Sequence, residues 1–160
     1  MVLIDYRKAF DMIDHTVLLK KLEVYGLRTE TLQWFTSYLE NRRQLVKLGD
    51  KQSNVANVPH GIPQGSILGP LLFIIFINDL PFYVNSSTID LYADDTTLTS
   101  SAHYSSVDRL EQNLNSSVAE IAEWAAFNKL PINESKTDPS YTHYWQTSTF
   151  KDQLGDGFNY

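Results

Sequence analysis

Between residues 107 and 125 the apolar positions Val107, Leu110, Leu114, Val118, Ile121 and Ala125 recur every three or four residues, which predicts a long helix with one buried face. Two shorter helices are written earlier in the chain. Asp14 stands where it can cap a helix bearing Leu18, Leu19, Leu22 and Tyr25 on one face, and Gly26 ends it. Thr29 opens another, with Leu32, Phe35 and Leu39. Strand patterns alternate with these. The opening MVLID reads as a short strand, and RRQLVKLGDKQSNVANV alternates on either side of Gly49-Asp50, a hairpin signal. The glycines and proline of HGIPQGS, 60 to 66, mark a constrained loop before a mostly apolar helix from about Leu68 to Leu80. Pro70 fits only its first turn, and Pro81 stops it. Residues 88 to 93 and 96 to 100 pattern as two strands, with Asp94 and Asp95 at the turn between them.

The order strand, two helices, hairpin, helix, hairpin, helix predicts an α+β fold, with helices packed on one face of a small antiparallel sheet. After Lys136 the chain turns polar and aromatic without a period, so 138 to 160 reads as a poorly ordered tail. The run ILGPLLFIIFI, 67 to 77, would extend roughly 16 Å as a helix, half of a ~30 Å bilayer core, which points to a buried helix and away from a membrane span. Charged residues interrupt the amino-terminal stretch where a secretory signal would be apolar.

Composition narrows this further. With 160 residues, 42% hydrophobic and 20% charged, the chain has the makeup of one globular domain. The absence of cysteine excludes disulfides and thiolate metal sites, and suits a reducing compartment. The net charge of -6 is uneven, being +2 over 1 to 51, -6 over 52 to 137 and -2 beyond. An acidic balance argues against a strong grip on a polyphosphate by this chain alone and favours a cation partner or a missing basic region.

Adjacent Asp94 and Asp95 repel unless a cation neutralises them, and a divalent metal is the natural compensator. Asp5, leaving the first strand, is the best third acid. On spacing alone, adjacent acids at a turn are more often solvated turn formers, and a lone strand-end aspartate is more often a cap. Magnesium is satisfied by a few carboxylates with substrate phosphates and water, so these residue types suit phosphoryl transfer with two ions about 4 Å apart.

Three blocks in order, IDYRKAFDMIDH at 4 to 15, GIPQGSILGPLLFIIFINDLP at 61 to 81 and LYADDTTL at 91 to 98, resemble the palm of reverse transcriptases of the non-LTR, LINE type. The resemblance implies a polymerase palm with a ferredoxin-like antiparallel sheet. It implies that Asp5 and Asp94 ligate two Mg²⁺ ions, for which Mn²⁺ can substitute, that Asp95 supports the site, and that the Tyr6 carbonyl touches a metal. Phe10 corresponds to a steric gate that favours dNTP over NTP, and Gln64 and Gly65 to a loop contacting the incoming nucleotide and the template. Asn133, Lys136 and Thr137 in LPINESKT resemble the next block, whose lysine assists the departing pyrophosphate as a general acid. The implied partners are an RNA template, a DNA primer and dNTP substrate, in an intracellular setting.

Other residues attract plainer readings. Asp11 and Asp14 are expected to be local caps, His15 and His60 to be structural, Trp34, Phe35 and Tyr38 to be core, and Arg42, Arg43 and Lys47 to lie on a solvated hairpin. The departures from the family are at the ends. Four residues precede Asp5, and the blocks stop at Thr137, so residues 1 to 137 are expected to be a partial reverse transcriptase domain, palm with part of the fingers. Such a fragment is expected to be inactive in isolation. The alternative is a non-catalytic retrotransposon remnant with at most a nucleic-acid or protein-binding role.

Overall fold

The computed structural model describes residues 1–102 and 106–137. In chain order the elements are β1 (Val2–Ile4), a 3₁₀ turn (Ala9–Asp11), α1 (His15–Val24), α2 (Thr29–Leu39), β2 (Arg43–Gln44), β3 (Lys47–Leu48), β4 (Lys51–Gln52), β5 (Ala56–Asn57), α3 (Leu68–Ile77), a second 3₁₀ turn (Leu80–Phe82), β6 (Thr88–Tyr92), β7 (Asp95–Thr99) and α4 (Val107–Phe127). The predicted elements are therefore present in the predicted order. Two compact units divide the described residues, one formed by Met1–Ala9 with those from Ile77 onward, the other by Phe10–Phe76.

The first unit is built on a three-stranded antiparallel sheet in the order β1, β7, β6. Val2 faces Leu98 and Ile4 faces Thr96 across the β1–β7 pair. All four are buried, while the alternate positions Leu3, Asp95 and Thr99 are exposed, as the period of two in a strand requires. Helix α4 supplies Leu114, Val118, Ile121, Trp124 and Ala125 to the core, five positions of the stripe or next to it. Tyr6 continues the buried row past β1, its ring centroid 6.5 Å from that of Trp124. The indole Nε1–H of Trp124 donates to Asp79 Oδ1 at 3.0 Å, tying the segment before β6 to α4.

What ends α4 determines what lies beside the residues that follow β1. Leu130 N–H bonds back to Ala125 O and Lys129 N–H to Ala126 O, with Lys129 at φ +56°. This is a Schellman reversal with lysine where glycine is usual. It turns the chain so that Ile132 forms an antiparallel bridge with Tyr6.

In the second unit, Asp14 caps α1 as predicted, its Oδ1 accepting from Val17 N–H at 3.0 Å. Gly26, at φ +94°, ends it. The predicted hairpin is a nested pair, β3 with β4 at its tip around Gly49-Asp50 and β2 with β5 below. Gly61 is required by space as well as conformation. Its φ is +81°, and a Cβ there would lie 2.6 Å from the Asp11 backbone oxygen. Gly61 N–H bonds to Ile13 O and Ile62 N–H to Phe10 O, zipping the loop to residues 10–13.

Helix α3 stops at Ile77, three residues before the expected Leu80. Pro81 has no N–H to return to the Ile77 carbonyl, so the α ladder cannot reach it, and a 3₁₀ turn containing Pro81 follows. The helix is also not buried all round. Leu72, Phe73 and Phe76 are sealed, but Leu71 and Ile74 are exposed, and Ile67 just before the helix is 96% exposed. Among the described residues no helix is long and apolar enough to cross a membrane. The all-antiparallel pairing with α4 packed on β7 is the α+β arrangement of a palm-like fold. The expected poorly ordered tail at 138–160 lies outside the described residues.

Candidate active site

The β6–β7 hairpin closes with Tyr92 opposite Asp95, leaving Ala93 and Asp94 as a two-residue turn. Both acids were expected at the turn. Asp94 is within it and Asp95 is the first residue of β7. Ala93 sits at φ +53°, a left-handed conformation costing roughly 1–2 kcal/mol for a residue with a Cβ. The strands are antiparallel, so the register that pairs Ile4 with Thr96 carries Asp5, which follows Ile4, and Asp95, which precedes Thr96, to the same end of adjacent strands. Asp5 and Asp94 are half-buried and Asp95 is exposed.

Asp5 is the most constrained of the three. Asn133 Nδ2 donates to Asp5 Oδ2 at 2.7 Å, and Asn133 N–H donates to Asp5 O at 2.8 Å. On the same segment Arg7 N–H donates to Pro131 O at 2.8 Å, so the bridge at Tyr6 is fastened by its flanking residues. Thr137 Oγ1 is a longer acceptor, 3.4 Å from Asp5 N. The block LPINESKT therefore docks along residues 5–7, just past the end of β1. Lys136 is exposed, with its backbone N–H bonded to Asn133 O. The Tyr6 side chain is buried away from the acids, and that burial pushes its phenol well above the ordinary tyrosine range. A 3.4 Å bond from Thr96 Oγ1 acts weakly in the opposite direction.

Among the described residues no group of three or more histidine, aspartate or glutamate side chains is gathered tightly enough to hold a metal ion by itself. The donor chemistry still fits a hard cation that takes one or two carboxylates and completes its shell with water and substrate phosphate. Asp5, Asp94 and Asp95 are the residues that would hold it.

The second unit contains the other expected site residues. Phe10 is half-buried and stacks on Phe73, with centroids 4.5 Å apart and an interplanar angle of 17°. Gln64 is exposed and its Nε2 donates to Asp11 Oδ1 at 2.8 Å, so Asp11, expected as a cap, instead holds this amide. Gly65 adopts φ +78° with open space where a Cβ would be, which makes its glycine conformational within the protein. Ser66 Oγ accepts from Gly69 N–H at 3.0 Å, supporting the start of α3 as expected. His15 Nε2–H donates to Gly61 O at 2.7 Å, a structural role. Trp34, expected as core, is 53% exposed and stacks on Tyr38 on the surface of α2. Two contacts of the expected site residues escaped the sequence, Asn133 to Asp5 and Asp11 to Gln64. The residues of the first are 128 apart in the chain, and no local spacing signals such a pair.

Residues 1–151 match the family described as reverse transcriptase (RNA-dependent DNA polymerase). The chain belongs to the reverse transcriptase family. It is 34% identical over 143 residues to the "Probable RNA-directed DNA polymerase from transposon X-element" of Drosophila melanogaster, covering 84% of this chain and 15% of that protein. It is 31% identical over 155 residues to the "Probable RNA-directed DNA polymerase from transposon BS" of the same species, covering 88% and 16%. The "RNA-directed DNA polymerase from mobile element jockey" of Drosophila funebris is 32% identical over 143 residues, covering 83% and 15%. The reverse transcriptase chain thus spans about 15% of the length of these relatives. Its family match runs beyond Thr137, where the recognisable sequence blocks end.

Proposed function

We propose that this chain carries the carboxylate-bearing palm segment of a non-LTR retrotransposon RNA-directed DNA polymerase, which adds dNMP to a primer 3′-hydroxyl along an RNA template. The observation that carries the reading is the β1–β7 register, which sets Asp5 at the strand end from which the Asp94-Asp95 turn projects. Asp5 and Asp94 are the proposed ligands of two Mg²⁺ ions, with Mn²⁺ as a substitute, and Asp95 adds negative charge beside them. The ions, when bound, stabilise charge on the attacking and departing oxygens.

The chain's own residues do the remaining work. The Asp5 carboxylate is pre-oriented by its hydrogen bond, so little rotamer freedom is lost when a cation arrives. Lys136, which is exposed, is proposed to deliver a proton to the departing pyrophosphate. In the second unit Phe10 is proposed to exclude a ribose 2′-hydroxyl. Its stacking on Phe73 gives the ring the rigidity such exclusion requires. Gln64 is proposed to bond the nucleotide through its amide, and Gly65 to let backbone approach it closely. The Tyr6 carbonyl is proposed as a further oxygen ligand.

Titration calorimetry with MnCl₂ tests the metal reading. The unsubstituted chain is expected to bind Mn²⁺ and Asp5→Asn to bind it at least tenfold more weakly. Equal affinities would instead favour a non-catalytic retrotransposon product with at most a nucleic-acid or protein-binding role.

A further inference from the structure

We infer that Asn133 is the positioning residue for Asp5, a role that deepens the proposed metal reading and rests on it. Its Nδ2 lies 2.7 Å from Asp5 Oδ2, at the short end for an N–H donor and typical of a bond to a charged acceptor. The carboxylate only accepts, so the amide nitrogen is the atom that faces it. Asn133 Oδ1 is left to accept from Ser135 Oγ–H at 2.8 Å.

The choice of an amide has a chemical consequence. A lysine or arginine at this place would cancel the charge of Asp5 and compete with a cation for it. Asparagine donates a hydrogen bond and leaves the full negative charge for the metal. The same residue organises its own loop, because Asn133 O accepts from the N–H groups of both Lys136 and Thr137, at 3.1 and 2.8 Å, and from Thr137 Oγ1 at 2.9 Å. Asn133 thereby links the orientation of Asp5 to the turn that bears Lys136. These backbone bonds, with Asn133 N–H to Asp5 O, do not need the side chain, so Asn133→Ala removes the amide and keeps the docking.

Outer groups that orient a metal ligand typically contribute 10–100-fold to metal affinity. The test is Mn²⁺ affinity by electron paramagnetic resonance for the unsubstituted chain, Asn133→Ala and Asp5→Asn, with thermal melting of each followed by circular dichroism. Asn133→Ala is expected to bind Mn²⁺ about tenfold more weakly with a melting temperature close to that of the unsubstituted chain. A purely structural role would move the melting temperature and leave affinity unchanged. If Asp5→Asn loses binding while Asn133→Ala binds normally, the positioning role is overturned and the metal reading stands. If neither substitution changes affinity, or the unsubstituted chain binds no Mn²⁺, both are overturned. Should Asn133→Ala fail to fold, the unsubstituted chain decides. Its Asn133 side-chain amide resonances are expected to broaden with substoichiometric Mn²⁺, and their survival at saturation overturns the inference.

Discussion

Tyr6 follows Asp5 in the chain, and its phenol is sealed between β7 and α4, with Thr96 Oγ1 and the Trp124 ring as neighbours. Burial disfavours the phenolate and raises the folded-state pKa above the ordinary value of about 10. The sign of the linkage follows. Above pH ~10 the unfolded chain releases the Tyr6 proton while the folded chain keeps it, so stability is intact below that pH and falls as pH rises. In urea titrations between pH 9 and 11, the unsubstituted chain is expected to lose about 1.4 kcal/mol per pH unit above ~10 that Tyr6→Phe does not lose. Parallel losses in the two proteins would show that the phenol is not sealed. At this scale the sequence is readable where a residue's task is local. Asp14 as a cap and Gly26 as a stop depend on neighbours within five positions. Asn133 could be recognised as part of a block, but its work on Asp5 requires the fold to bring the two together.

At the scale of elements, α4, both hairpins and the first two helices are legible because period and turn chemistry are local properties. The end of α3 was misplaced because an unbroken apolar run hides the point at which the backbone ladder fails. The same run hides that Leu71 and Ile74 are exposed. Beyond α3 the chain is held by a polar contact that no pattern announces, the Trp124 indole on Asp79. Asp79→Ala is expected to lower the unfolding free energy by about 1–3 kcal/mol, the cost of removing a charged partner from a buried donor. A change below about 0.5 kcal/mol in urea titration would show that this contact does not hold the segment against α4. Its sequence signal is weak, since Asp79 lies in a block recognisable by resemblance, whereas Trp124 falls simply on the stripe of an amphipathic helix.

At the scale of the molecule, the three sequence blocks identified the family because their order and separation are more specific than any one of them. The site needs more than order. Strand register sets Asp5 and the Asp94-Asp95 turn at one end of the sheet, and register is set by which face of β1 and β7 is buried. Alternation in both strands made that face readable in principle. The extent of gathering was not readable, because side-chain approach depends on the Ala93 turn and on the docking of residues 131–137. The acidic balance of -6 agrees with a surface that recruits cations. The most direct measurement is anomalous diffraction from crystals of the chain grown with Mn²⁺. The account predicts an ion within about 2.1 Å of an Asp5 carboxylate oxygen and of an oxygen from Asp94 or Asp95. Ordered Mn²⁺ found only elsewhere, with Asp5 turned away from the doublet, would contradict it.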